Sequence, residues 1–158
     1  MTQNLTMREL LLPQAINASL NVTSKKDVLQ SIAAAAAGLM DKDALAVFDV
    51  LWERERLGTT GVGQGIAIPH GRVPGLEKVS GFFARLTQPV NFDAIDDKPV
   101  DLVFLLLAPE AAGADHLHAL ATVSRLLRNA KLCEELRKAK DEAAIYRVLT
   151  ETSAVQAA

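Results

Sequence analysis

The sequence predicts an α/β domain, a sheet carrying layers of helix, on three observations. The segment VDLVFLLLA is apolar almost throughout from Val100 to Leu107, as a central strand covered on both faces should be. Val79 to Leu86 forms a second strand of similar length. Long helical stretches stand on both sides of these strands along the chain.

Taken in order, Met7 to Leu12 reads as a short helix closed by Pro13. Ala15 to Asn21 alternates weakly as a first strand, with Ile16, Ala18 and Leu20 on one face. Ser24, three residues before Asp27, offers a side-chain oxygen to the free N–H groups of a helix start. That helix runs to about Met40, its alanines favouring both helix and close packing. Asp41 to Asp43 break it, and a second helix covers Ala44 to about Leu57, ended by Gly58. A glycine-rich loop, Gly61 to Gly65, then leads into the apolar run Ile66 to Ile68 and on to Pro69-His70-Gly71. Asn91 to Asp93 and Asp96 to Pro99 carry turn chemistry between the two long strands. Ala114 to Thr150 reads as helix, broken near Asn129 and near Lys140, and a tail frays after Glu151. The expected organisation is one domain over residues 1–158, with its core at about 10–150 and a flexible tail at 151–158.

Composition narrows the function. Seventeen Lys plus Arg against nineteen Asp plus Glu leave a net charge of −2, which argues against a nucleic-acid binder with its basic stripe. No run approaches the ~18 apolar residues that would span a bilayer, and the start of the chain lacks the order of a secretory signal. The single cysteine, Cys133, cannot form an internal disulfide and fits a reducing cytoplasm as a packed or half-exposed residue. The glycines at 61, 63 and 65 do not make GxGxxG, and no GxxxxGK[ST] occurs, so neither nucleotide loop is present.

Three histidines, at 70, 116 and 118, and one arginine remain as candidates. His70 lies in GVGQGIAIPHG, where proline favours an extended approach and Gly71 permits a close turn beside the ring. The result is an apolar strand end presenting an imidazole, with one nitrogen held by a carbonyl and the other free to attack. The plainer alternative is a turn that happens to contain a histidine. At 3.6 residues per turn His116 lines up with Leu120, Val123 and Leu127 and should point inwards near helix N–H groups, whereas His118 lines up with polar positions and should face solvent. A core-edge histidine bonded to a carbonyl is the alternative for His116. The two diverge by about 200° on a helix, so they do not share a metal. Arg54 falls on the apolar side of its helix with Val47, Val50 and Leu51, where a guanidinium needs an anion or a route to water. It serves as an anion partner or simply snorkels. Arg56 reads as surface charge beside Trp52 and Asp49.

The segment RERLGTTGVGQGIAIPHGR, Arg54 to Arg72, resembles enzyme IIA of the mannitol–fructose type in the bacterial phosphotransferase system, and within that type its nitrogen-regulatory branch. The likeness continues through FDAIDDKPVDLVFLLLAPE (Phe92 to Glu110) and HLHALATVSRLL (His116 to Leu127), and spans about Leu10 to Leu149. It implies the mannitol-type IIA fold, a mixed central sheet with helices on both faces. By the same resemblance His70 accepts a phosphoryl group from an HPr-like phosphocarrier, His116 lies beside it to stabilise the group, and Arg54 gives electrostatic support. No cofactor or metal is implied. The implied role is a cytoplasmic phosphocarrier acting as a regulatory switch on downstream targets, such as potassium-transport or sensor-kinase proteins. The alternative is a sugar-branch IIA passing phosphate to a separate IIB protein. No IIB or membrane IIC domain accompanies the matching segment, which points away from direct sugar transport. A homodimer through an apolar helix face is a further expectation. A hydrolase or metal-binding reading ranks last, for want of a carboxylate–histidine set with ligand spacing.

Overall fold

The computed structural model describes residues 6–157, with side chains up to Glu151. A short helix α1 (Met7–Leu10) opens on Thr6, whose side chain forms a reciprocal cap with Glu9. Strand β1 (Ile16–Leu20) follows, then α2 (Lys25–Met40), capped by the Ser24 side chain as expected. The connection to α3 (Ala44–Leu57) turns on Asp41 in the left-handed region, and Asp43 caps α3 through the N–H of Ala46. Gly58 ends α3 in an extended rather than a left-handed conformation.

The expected glycine loop is a hairpin. Strand β2 (Gly61–Gly63) pairs antiparallel with β3 (Ile66–Ala67) around Gln64 and Gly65, both with positive φ. Strand β4 (His70–Arg72) comes next, then the long β5 (Ser80–Val90) and β6 (Val100–Ala108). The chain finishes with α4 (Ala114–Leu127), α5 (Ala130–Lys138, capped by Asn129) and α6 (Glu142–Ala157). The breaks near Asn129 and Lys140 fall where the sequence put them. Helix α6 runs through most of the segment 151–158 expected as a flexible tail, of which the side chains after Glu151 lie outside the described residues.

The six strands form one mixed sheet in the order β1-β5-β6-β3-β2, with β4 also paired to β6. β1 lies parallel to β5, β5 antiparallel to β6, and both β3 and β4 parallel to β6. Successive side chains on a strand face opposite ways, and every one from Leu102 to Ala108 is buried. Helices therefore cover both faces, and β6 is the central strand that its apolar run predicts. The cross-strand pair Phe83 and Phe104 meets edge to face within this core, ring centroids 6.2 Å apart.

His70 opens β4 rather than closing the apolar run before it. Ile66 and Ala67 register with Leu102 and Val103, and His70 to Arg72 register with Leu106 to Ala108 at the same offset. β3 and β4 are thus two halves of one line of pairing, interrupted at Ile68-Pro69 because proline has no N–H to give the ladder. The Pro69 carbonyl still accepts from Leu106 N–H at 2.9 Å, so the register survives the break.

Gly71 also has a different reason from the expected turn. Its φ is not positive; instead a Cβ there would collide with the Cγ1 of Val50 on α3. The bare Cα lets α3, which carries Arg54, lie directly on the strand that carries His70. Valine is stiff at χ1 in a helix and cannot swing aside. Gly71→Ala is expected to lower stability by about 1–3 kcal/mol, and adding Val50→Ala should recover part of that loss. Denaturant melts of the two single variants and the double variant check this; simple additivity would mean the contact is not what sets the spacing.

Candidate functional site

The site lies where α3, the β3–β4 line and the start of α4 converge. The His70 Nδ1 is 2.9 Å from the Ile68 carbonyl oxygen. An oxygen of that kind can only accept, so Nδ1 carries the proton and Nε2 the lone pair. The carbonyl is available because Thr60, which faces Ile68 and accepts its N–H, gives its own N–H to Glu55 instead of to the Ile68 oxygen.

Arg54 reaches that lone pair. Its Nε donates to His70 Nε2 at 3.3 Å, and its second arm holds the Gly58 carbonyl at 2.9 Å. A cation in the last turn of α3 is favoured by the helix dipole, and the guanidinium fork bridges the helix end to the ring. Arg54 is half-buried, so it does not merely snorkel. Arg56, by contrast, is exposed and pairs with Glu53 at 2.9 Å rather than with Asp49.

His116 points inwards as its helix phase requires and is only 6% exposed. Its ring lies edge-on to that of His70, with centroids 5.7 Å apart. Its Nε2 is enclosed and has no hydrogen-bond partner. A buried polar atom without a partner is uncommon and marks a place where a further group belongs. No carbonyl takes that nitrogen, which removes the plainer alternative for it. His118 departs from expectation: it is half-buried, on the same flank of α4 as the half-buried Thr122, because the buried face of this helix is wider than a single stripe.

Both rings of the pair are held below the ordinary imidazole pKa. For His70 burial is the main cause, helped by the Arg54 charge and opposed by the Ile68 carbonyl and by Glu55. For His116 burial again leads, followed by the charges of His70 and Arg72. Two neutral imidazoles therefore stand side by side at neutral pH.

Several partners escaped the sequence reading. Glu55 is buried, with its carboxylate taking the Thr60 hydroxyl at 2.6 Å, the Thr60 N–H at 3.0 Å and the Lys25 ammonium at 3.0 Å. Lys25 also reaches Asp93 at 3.1 Å. The spacing Val47-Leu51-Glu55 on one helix face was the available signal for Glu55; nothing local marks Thr60 or Lys25. Arg72, two residues along β4 from His70, projects to the same side of the strand and donates to the Glu110 carbonyl at 3.1 Å. Cys133 is buried against the Leu127 carbonyl and burial pushes its thiol pKa up, away from reactivity.

Among the described residues no helix is long and apolar enough to cross a membrane. The fold is shared with solved phosphotransferase IIA structures. Nitrogen regulatory protein IIA-Ntr from Neisseria meningitidis superposes with a TM-score of 0.86 at 36% identity, over 91% of this chain and 99% of that one. IIA mannitol from Escherichia coli gives 0.71 at 20% identity, over 86% and 96%, a likeness of fold alone. These define the molecule as a mannitol-type IIA domain of α/β architecture. The sequence pattern of the phosphoenolpyruvate-dependent sugar phosphotransferase system, EIIA 2, matches residues 9–152, and the chain belongs to that family. A nitrogen regulatory protein from Bradyrhizobium diazoefficiens is 57% identical over 141 residues, covering 89% of this chain and 92% of its own. The resemblance read in the sequence is thereby borne out, nitrogen-regulatory branch included, and phosphoryl transfer is the general business of the family.

The depressed pKa values have a consequence with a definite sign. A histidine whose folded pKa lies below its unfolded value near 6.5 favours the native state above that value, and the contribution is lost as pH falls through the folded pKa. Ring titrations followed by NMR should place both His70 and His116 below 6.5, and urea midpoints should fall on acidification from pH 7 to 5. A ring titrating above 6.5 would contradict the assigned burial effect.

Proposed function

We propose that this chain is a phosphocarrier whose His70 Nε2 accepts a phosphoryl group from an HPr-like phosphocarrier protein, and that the change of state is read by regulatory partners. The observation that carries the proposal is the set Ile68 carbonyl, His70 Nδ1–H, free Nε2 facing Arg54, and the unpartnered Nε2 of His116 next door.

The step balances simply. The N–P bond of the donor phosphohistidine breaks as the bond from phosphorus to Nε2 forms, and the donor imidazole leaves with its electron pair. The Nδ1 proton stays on His70, where the Ile68 carbonyl stabilises the positive charge that the ring acquires. The phosphoryl group in flight needs alignment and charge stabilisation on three equatorial oxygens, with little covalent help. Arg54 loses its acceptor when Nε2 is bonded to phosphorus and turns its donors to the phosphoryl oxygens. His116, with Nε2 protonated, gains in those oxygens the partner it lacks.

A donor histidine belongs to another protein, so the surface around His70 must admit one. Leu117 directly follows His116 and is 67% exposed; Leu57, beside the Gly58 carbonyl held by Arg54, is 86% exposed. Ile95 and Val62, on the loop and hairpin near Gly63, are exposed as well. Apolar side chains left in water around a polar site are what a docking partner covers. Phosphorylation then places about −1.5 to −2 charges in the middle of that surface, by analogy with phosphorylated hydroxyl side chains. A change of that size decides which protein binds next. The relatives named nitrogen regulatory protein support a regulatory rather than a sugar-uptake role for that choice.

His70→Ala is expected to abolish labelling by a phosphorylated HPr-like donor while circular dichroism shows the fold intact; full labelling would remove His70 from the mechanism. His116→Ala should fold and slow the transfer by roughly ten- to a hundredfold, the scale for losing one donor to a developing charge. His118→Ala should transfer at nearly the normal rate, and a loss matching that of His116→Ala would place His118 in the site. Mixing the labelled protein with IIB domains distinguishes the two branches: rapid loss of label favours sugar transport, and retention favours regulation.

A further inference from the structure

A chain of hydrogen bonds runs from α2 to the His70 ring without any of its far members touching that ring. The Lys25 ammonium meets the Glu55 carboxylate at 3.0 Å. Glu55 accepts both the hydroxyl and the N–H of Thr60. The Thr60 carbonyl accepts the Ile68 N–H at 3.0 Å. The Ile68 carbonyl accepts the His70 Nδ1 proton at 2.9 Å. From the ring inwards every donor points towards the carboxylate, which Lys25 meets from the far side. The links join at the Cα atoms of Ile68 and Thr60, so the chain fixes where the Ile68 carbonyl sits, and the carboxylate charge is felt through space in a low-dielectric interior.

We propose that Glu55 is a positioning residue for phosphoryl transfer, acting through Thr60 and the Ile68 peptide to hold the His70 ring in its Nδ1–H tautomer and to keep a negative charge at the far end of the bonds that support it. This rests on the phosphocarrier reading of His70 but assigns a residue that makes no contact with the phosphoryl group. The arrangement resembles a histidine–carboxylate pair in which the residues Ile68 and Thr60 stand between the two. Its chemical logic follows from the step itself. As Nε2 takes phosphorus the ring becomes positive, and a buried carboxylate beyond Thr60 opposes that charge through space without competing for the phosphoryl oxygens. Arg54, one residue earlier on α3, faces the lone pair from the other side. Consecutive residues of one helix therefore act on the two nitrogens of one ring, Arg54 directly and Glu55 through the strand.

Burial is what makes this more than surface decoration. The Glu55 side chain is 3% exposed and that of Lys25 is 17% exposed, so their charges are poorly screened. The charged and titratable groups within reach of the His70 ring are Arg54 and Glu55 from α3 and His116 from α4. Only Glu55 among them is anionic.

The test uses the full chain and two readouts. In Glu55→Gln, labelling of His70 by a phosphorylated HPr-like donor at pH 8, where the imidazole is neutral in either protein, should slow by about tenfold, the scale for losing an outer carboxylate behind a functional histidine. NMR of nitrogen-labelled histidine should show the His70 titration midpoint moved lower and the Nδ1–H tautomer less dominant. Thr60→Val, which removes the hydroxyl link, should move both readouts in the same direction, and Thr60→Ser should restore them. This pair decides the matter if Glu55→Gln does not fold. Normal labelling with an unmoved midpoint in Glu55→Gln, or in Thr60→Val where that variant decides, would overturn the assignment while leaving His70 a phosphocarrier. Failure of the unaltered protein to be labelled at His70 would instead overturn the phosphocarrier reading, and the midpoint and tautomer would still decide what Glu55 does.

Discussion

The bond between the His70 Nδ1 and the Ile68 carbonyl is the constraint on which the rest of the site depends. It fixes which nitrogen carries the proton, and so which nitrogen keeps its lone pair. It exists because the Thr60 N–H, which faces Ile68 in the hairpin register, donates to Glu55 and leaves the Ile68 oxygen to the ring. An unbroken strand would turn the Ile68 carbonyl to the same side, but a longer β2 would claim it. A hairpin that starts at Gly61 leaves it for the histidine two residues on.

Burial and access pull against each other at this ring. Enclosure keeps both imidazoles neutral, which suits the attack by one and the hydrogen bond from the other in the proposed transfer. The same proposal needs one ring open to a macromolecular donor. The compromise is a half-buried His70 on the approach side and a buried His116 behind it, with a guanidinium supplied from the end of α3. The absent Cβ of Gly71 sets how close that helix end lies, so a backbone feature of the sheet tunes an electrostatic feature of the site. Thermodynamically the site is costly: a polar atom of His116 is left without a partner and a buried carboxylate must be matched by a lysine 30 residues away. Function, rather than stability, accounts for such an arrangement.

Much of this was legible beforehand where the signal is local. Ser24, Gly58 and Asn129 marked helix ends because capping satisfies backbone groups within a few residues. The run in β6 announced a strand covered on both sides, and helix phase alone placed His116 inside and Arg54 on the inner side of α3. The motif around His70 carried the family resemblance without any structure at all. Where the reading failed, the reason was again physical. Gly71 read as permitting a close turn, but pairing with β6 holds the segment extended, as Pro69 suggested, and Gly71 is small to admit Val50 rather than to bend. His118 sat on a polar stripe yet is half-buried, since the width of a buried face depends on what packs against it.

By itself, then, the sequence determined the elements, their caps, the central strand and the inward placing of His116 and Arg54, because each depends on periodicity or on neighbours along the chain. Tertiary structure alone decided the protonated nitrogen of His70, the missing partner of His116, and the joining of Lys25, Glu55 and Thr60 into one path to the ring. Those depend on carbonyl directions and on contacts between segments far apart in the chain, and no pattern of residue types encodes a direction in space.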